Sequence, residues 1–129
     1  MNSAATLPLE GSTFLRRTLA VDAATCAAMG VLLAAFQAPL AGLLGLPAAL
    51  LFYAGLALFP CAALMLVAHR SRALAWLVVA GNAAWLAGSV VVLVVASPTA
   101  LGYAFVIAQA IAVAVLAGLE YVGLARAAS

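Results

Sequence analysis

The sequence predicts an all-α integral membrane protein, an antiparallel four-helix bundle running up-down-up-down. Three observations predict it: a composition almost without charge, four apolar runs of membrane length, and arginines confined to one side. Of 129 residues, 70% are hydrophobic and 6% charged, and the mean hydropathy is +1.32. A water-facing domain carries about a quarter of its residues as Asp, Glu, Lys or Arg. So few charges cannot cover a wet surface, and the solvent must be lipid. The Val- and Leu-rich runs are not barrel strands, which need only about 9–11 residues and alternate apolar with polar. These runs are longer and do not alternate.

Residues 1–13, with Pro8, Glu10 and Gly11, read as a flexible cytoplasmic tail, and residues 14–129 as one transmembrane domain. The first span runs over about residues 18–36 and closes at Gln37 and Pro39. At 1.5 Å per residue this length suffices for a core of roughly 30 Å. Residues 39–47 hold two prolines and two glycines and no charge, which suits a turn with a short interfacial element. The second span covers about residues 48–68, with Pro60 near its middle removing one backbone hydrogen bond. A tight basic link, His69-Arg70-Ser71-Arg72, leads to the third span, about residues 73–96. Ser97-Pro98-Thr99 makes the next turn, with Thr99 placed to cap the fourth span, about residues 101–124.

Phe14-Leu15-Arg16-Arg17-Thr18-Leu19 loosely resembles a twin-arginine export signal. The long apolar run behind it, Asp22 within it, and three further apolar segments argue against cleavage.

Orientation follows from the basic residues. Arg16 and Arg17 precede the first span, His69, Arg70 and Arg72 link the second and third, and Arg126 follows the fourth. The loops on the other side, 37–47 and 97–100, carry no charge, so the positive-inside rule puts both termini in the cytoplasm. Trp76 and Tyr121 fall at the same arginine-rich boundary, as interfacial aromatic anchors do.

Small residues recur at four-residue spacing as Ala20-Ala24-Ala28, Ala80-Ala84-Gly88 and Ala110-Ala114-Gly118, each a candidate for close helix approach. Alanine is abundant throughout the chain, so the same spacings also arise by chance.

Asp22, Asn82, Gln109 and Glu120 make up the candidate intramembrane polar site. Counted from the flanking arginines, Asp22 lies roughly 7–8 Å and Glu120 roughly 9 Å in from the cytoplasmic boundary. Asn82, about 15 Å from Arg72, and Gln109, about 12 Å from the outer end of its helix, approach the midplane. Gln109 and Glu120 are close to three turns apart and share a helix face, as do Asn82 and Ser89. Thr18, Asp22, Thr25 and Met29 share one on the first span, with Cys26 beside them. An intramembrane acid costs several kcal/mol unless it is paired or protonated. For Asp22 and Glu120 the bland role is an ion pair with Arg17, Arg70 or Arg126. The alternatives are proton or cation handling, for which two neighbouring buried acids are suited, and contact with a partner. Asn82 and Gln109 are expected to hydrogen-bond across the third and fourth spans.

Cys26 and Cys61 make no CxxC, fall in apolar runs at comparable depth on adjacent spans, and read as small apolar filler. The lone His69 cannot supply bis-histidine haem ligation and reads as a surface residue. Neither a catalytic nor a cofactor or metal motif stands in the chain, and no basic patch on a soluble face suits nucleic acid.

Arg16-Arg17-Thr18-Leu19-Ala20-Val21-Asp22 and Gly81-Asn82-Ala83-Ala84-Trp85 resemble segments of small uncharacterised four-span bacterial inner-membrane proteins. The resemblance implies a multi-pass inner-membrane location and no particular activity, and the alanine-rich, lysine-free composition fits a GC-rich bacterial genome. Small multidrug transporters carry a glutamate within an apolar first helix, and this chain has an aspartate near its cytoplasmic end instead. DsbB-like and vitamin K reductase-like proteins keep cysteine pairs near the outer face, where this chain has none.

The expected function is that of a non-enzymatic inner-membrane protein, an accessory or assembly partner within the lipid bilayer, as a homo-oligomer or with a membrane-protein partner. The alternative is a small proton- or cation-coupled transporter or channel using Asp22 and Glu120 with Asn82 and Gln109. An intramembrane redox enzyme using Cys26 and Cys61 ranks third.

Overall fold

The computed structural model describes residues 13–128. The expected tail therefore lies outside the described residues, except Thr13, which opens the first helix. Five helices follow in order: α1 (Thr13–Ala35), α2 (Gln37–Leu44), α3 (Ala48–Ala68), α4 (Arg72–Val95) and α5 (Ala100–Ala128). Four of them, all but α2, are long and apolar enough to cross a membrane. The chain is thus a multi-pass helical membrane protein.

α1 starts five residues before the expected span, and α5 runs four residues past it. Arg16, Arg17 and Arg126 are exposed side chains inside these helices. Long basic side chains carry their charge to the headgroup level while the backbone stays helical, so an arginine need not end a span. The 39–47 segment forms the two-turn α2, with Pro39 in its first turn, where a missing N–H costs nothing. Gly45 ends it in the left-handed region (φ 67°) and donates its N–H to Ala41 O. Pro60 sits inside α3, which continues through it.

Caps fix both turns. Ser71 accepts from Leu74 N (3.4 Å) at the start of α4, and Thr99 Oγ1 accepts from Gly102 N (3.1 Å) at the start of α5. Thr99 also ties α5 to α2, donating from its hydroxyl to Leu43 O and from its N–H to Leu44 O.

The long helices form a closed ring in which α1 meets α3, α3 meets α4, α4 meets α5 and α5 meets α1. The α1/α3 seam is the tightest, because Gly30 and Gly55 let the backbones close. A methyl group on Gly55 would stand 2.8 Å from Ala34 N and 2.9 Å from Gly30 O.

The three small-residue stripes do not make these seams. Ala20, Ala24 and Ala28 are exposed, as are Ala80, Ala84 and Gly88, and nothing lies within 4 Å of a Cβ built on Gly88 or Gly118. Leucines chose the face of α1, which turns Leu15, Leu19 and Leu33 inward beside Ala23 and Gly30 and leaves its alanine stripe exposed.

The core is in two parts. At the arginine-bearing end Leu15, Leu19, Ala68, Ala75 and Leu124 form a dense plug, continued by Ala23, Met65 and Val78. At the other end Leu33, Leu44, Leu46, Leu51, Leu58 and Val106 pack under α2. Polar side chains occupy the level between.

Candidate functional site

Asp22 on α1, Asn82 on α4 and Glu120 on α5 meet inside the bundle. Their exposures are 2%, 7% and 1%, so the cluster is dry. Asn82 Nδ2 donates one hydrogen to Asp22 Oδ2 at 3.0 Å and the other to Glu120 Oε1 at 2.7 Å. α1 and α4 are diagonal in the ring, and the amide spans that diagonal. Asp22 Oδ1 faces the Cys26 thiol one turn on, at 3.6 Å. Glu120 Oε2 is fully buried with no hydrogen-bond partner among the described residues.

The partners of these two carboxylates are an amide and a thiol, not the expected arginine. The plug explains why. Leu15 and Leu19 lie between Asp22 and the end of α1, and Leu124 lies between Glu120 and Arg126. Gly123 brings α5 onto Leu15, with a built Cβ 3.1 Å from Leu15 Cα, which closes the remaining gap. Arg126 instead lies over the Phe14 ring, 6.0 Å from its centroid. Trp76 and Tyr121, both exposed, make an edge-to-face pair at the same end, with centroids 5.6 Å apart.

The meeting of the three residues follows from helix length. Measured from the helix ends, Asp22 is nine residues in, Glu120 eight and Asn82 ten, or about 12–15 Å each. Measured from the arginines they fall at different depths, because Arg17 and Arg126 sit inside their helices.

Gln109 does not join this cluster or touch Asn82. It forms a second polar layer with α4: Trp85 Nε1 donates to Gln109 Oε1 (2.8 Å), and Gln109 Nε2 donates to Ser89 Oγ (2.9 Å) and to Val106 O (2.9 Å). Ser89 in turn donates to Trp85 O. Asn82 and Gln109 each bridge α4 and α5, as expected, but through separate partners. Trp85 carries no polar signal in the sequence, since an indole inside a span looks apolar until its N–H needs an acceptor.

A cavity of about 170 Å³ joins the two layers, bordered by Asp22 and Asn82 on one side and Trp85 and Gln109 on the other. Cys61, Leu77 and Gly81, all exposed, mark its mouth between α3 and α4. A larger cavity towards α2 shares Met29, Gly81, Trp85 and Gln109 with it. Cys26, Met29, Cys61 and Met65 all line the first cavity, and they are every sulfur-bearing side chain among the described residues. Both cysteines are free, and Cys26 Sγ lies 3.8 Å from Met65 Sδ. Among the described residues no three His, Cys, Asp or Glu side chains converge to hold a metal ion.

No family model, curated protein or solved structure matches this chain.

Proposed function

We propose that this protein is a small proton- or cation-coupled transporter of the bacterial inner membrane, with both termini cytoplasmic and Asp22, Asn82 and Glu120 as its ion-handling site. The observation that carries this reading is the charge at the centre of the bundle. Two carboxylates are buried there on either side of one amide nitrogen, and the unpartnered Glu120 Oε2 lies beside them. Two ionised carboxylates in such a place cost several kcal/mol each unless a cation neutralises them. With arginine held off by the plug, a proton or a small cation supplies the missing positive charge. Asn82 fits the role of a fixed donor that serves both acids and keeps them in place as that charge comes and goes. The cavity reaches the site from the lipid-facing and α2 side, and the plug closes the other side, as one-sided access requires.

Asp22→Asn and Glu120→Gln test it. Each new amide keeps an oxygen for Asn82 and adds an N–H, towards Cys26 in one case and at the position of Oε2 in the other. Both variants should therefore melt within a few degrees of the wild type, about 1 kcal/mol or less of stability. In liposomes the wild type should pass protons or monovalent cations down an imposed gradient, and both variants should not. A folded wild type that carries neither overturns the transport reading.

The accessory reading draws on a different feature. The exposed Ala114 and Gly118 leave open helix surface on α5, of the kind that membrane helices use to meet a second chain, whereas Ala84 and Gly88 on α4 border the larger cavity. A stable partner or homo-oligomer co-purifying in mild detergent, with no flux, is the result that supports it.

A further inference from the structure

We propose that the sulfur-lined end of the cavity binds a soft monovalent cation of the Cu(I) or Ag(I) class, with Cys26 and Met65 as the first two ligands. This deepens the cation-handling reading above and rests on it.

The chain holds two cysteines and three methionines, and all four sulfur side chains among the described residues face one space. Two spacings put them there. Cys26 and Met29 are three apart on α1, and Cys61 and Met65 are four apart on α3, so each pair occupies one face of its helix. α1 and α3 form the tightest seam of the bundle, where Gly30 and Gly55 let the two backbones close. The Cys26 Sγ to Met65 Sδ distance of 3.8 Å lies within the span that one metal ion bridges with bonds of about 2.3 Å. The angle at the ion would be roughly 110°. Met29, on the wall of the same cavity, is the candidate for a third ligand.

The donor set decides the class of ion. Thiolate and thioether ligands select Cu(I), whereas magnesium and calcium want oxygen and a structural zinc site wants four Cys or His ligands. Charge points the same way. One thiolate and one monovalent cation sum to zero, whereas a divalent ion would leave a net charge within the membrane.

Binding is an exchange of cations. As the metal–sulfur bond forms, the Cys26 S–H bond breaks heterolytically and its proton is released to the surrounding water. A monovalent cation replaces a proton at the sulfur, and no electron changes hands. Asp22 Oδ1, which faces the Cys26 thiol, joins the sulfur pair to the acid–amide cluster.

The test is a titration of the full chain in detergent, without oxygen, against Cu(I) held by a coloured sulfonated chelator, with X-ray absorption on the product. The wild type should withdraw one Cu(I) per chain into a sulfur-only shell. Cys26→Ala should abolish this and Met65→Leu, which preserves volume, should weaken it by about an order of magnitude. Asp22→Asn should weaken it by roughly 10–100-fold as a group acting through the first ligand. Helix content and elution volume report whether each variant is folded, and Met65→Leu keeps the test open if Cys26→Ala is not. A folded wild type that leaves all metal on the chelator overturns the proposal, as does a shell of oxygen or nitrogen. So does loss of binding in Cys61→Ala but not in Cys26→Ala, which would place the metal on the lipid-facing thiol. Proton flux without metal binding sinks this inference and spares the transport reading. Metal binding without any flux does the reverse.

Discussion

Asn82 is the residue on which the interior depends. Its two amide hydrogens serve two acids from two other helices, so a leucine there leaves both carboxylates short of a donor in a dry site. Each buried acceptor so orphaned costs about 1–3 kcal/mol, more for a charged one. Asn82→Leu should therefore destabilise the protein by at least about 2 kcal/mol. Double-mutant cycles locate the coupling. Asn82→Leu with Glu120→Gln should deviate from additivity by more than about 0.5 kcal/mol, because the two side chains share a bond. Asn82→Leu with Gln109→Leu should add within that margin, because Gln109 bonds to Trp85 and Ser89 instead. Thermal or chemical melting in detergent decides it, and strong coupling in the second cycle would show that the two polar layers act as one.

This residue-level arrangement was half legible beforehand. All four candidate polar residues turn inward or lie half-buried, as their helical spacing implied. The partner of each was not legible. Depth counted from arginine assumes that arginine marks the membrane edge, and in α1 and α5 it lies inside the helix. Counting from helix ends would have brought Asp22, Asn82 and Glu120 to one level and left Gln109 in another.

At the scale of the elements, hydropathy was decisive and small-residue spacing was not. Four apolar runs became four long helices, and Thr99 caps α5 as its position implied. The alanine stripes turned outward because, in a chain so rich in alanine, four-residue spacings occur on every face and carry no direction. A glycine matters only where another backbone comes against it. Gly55→Val should force α1 and α3 apart and cost about 1–3 kcal/mol, since its Cβ would meet the Ala34 and Gly30 backbones, which cannot step aside. Gly88→Val, with open space around its Cβ, should cost less than about 0.5 kcal/mol in the monomer. Melting temperatures of the two variants check the contrast. A large loss confined to Gly88→Val, in a sample that dissociates at the same time, would instead identify α4 as an interface between chains.

The whole molecule has two unlike ends, and the proposed direction of ion entry depends on which end faces the cytoplasm. All the arginines, with His69, gather at the ends joined by the α3–α4 turn, where Trp76 and Tyr121 pair edge to face. The opposite end is α2 bound to the start of α5 through Thr99, without a charged side chain. Arginine is costly to translocate in short loops, and the orientation proposed above therefore puts the first end in the cytoplasm. In that orientation the aliphatic plug would seal the cytoplasmic side, and the cavities would lie above it towards the outside. Single cysteines at Ser3 and Ser97, in a chain carrying Cys26→Ala and Cys61→Ala, test this directly. A membrane-impermeant maleimide added to intact spheroplasts should label Ser97→Cys, an exposed position in the turn before α5, and should reach Ser3→Cys only after the membrane is opened. Labelling of Ser3→Cys in intact spheroplasts, with Ser97→Cys protected, would invert the molecule. The plug would then close the outer side, and the cation proposed for Cys26 and Met65 would have to enter from the cytoplasm.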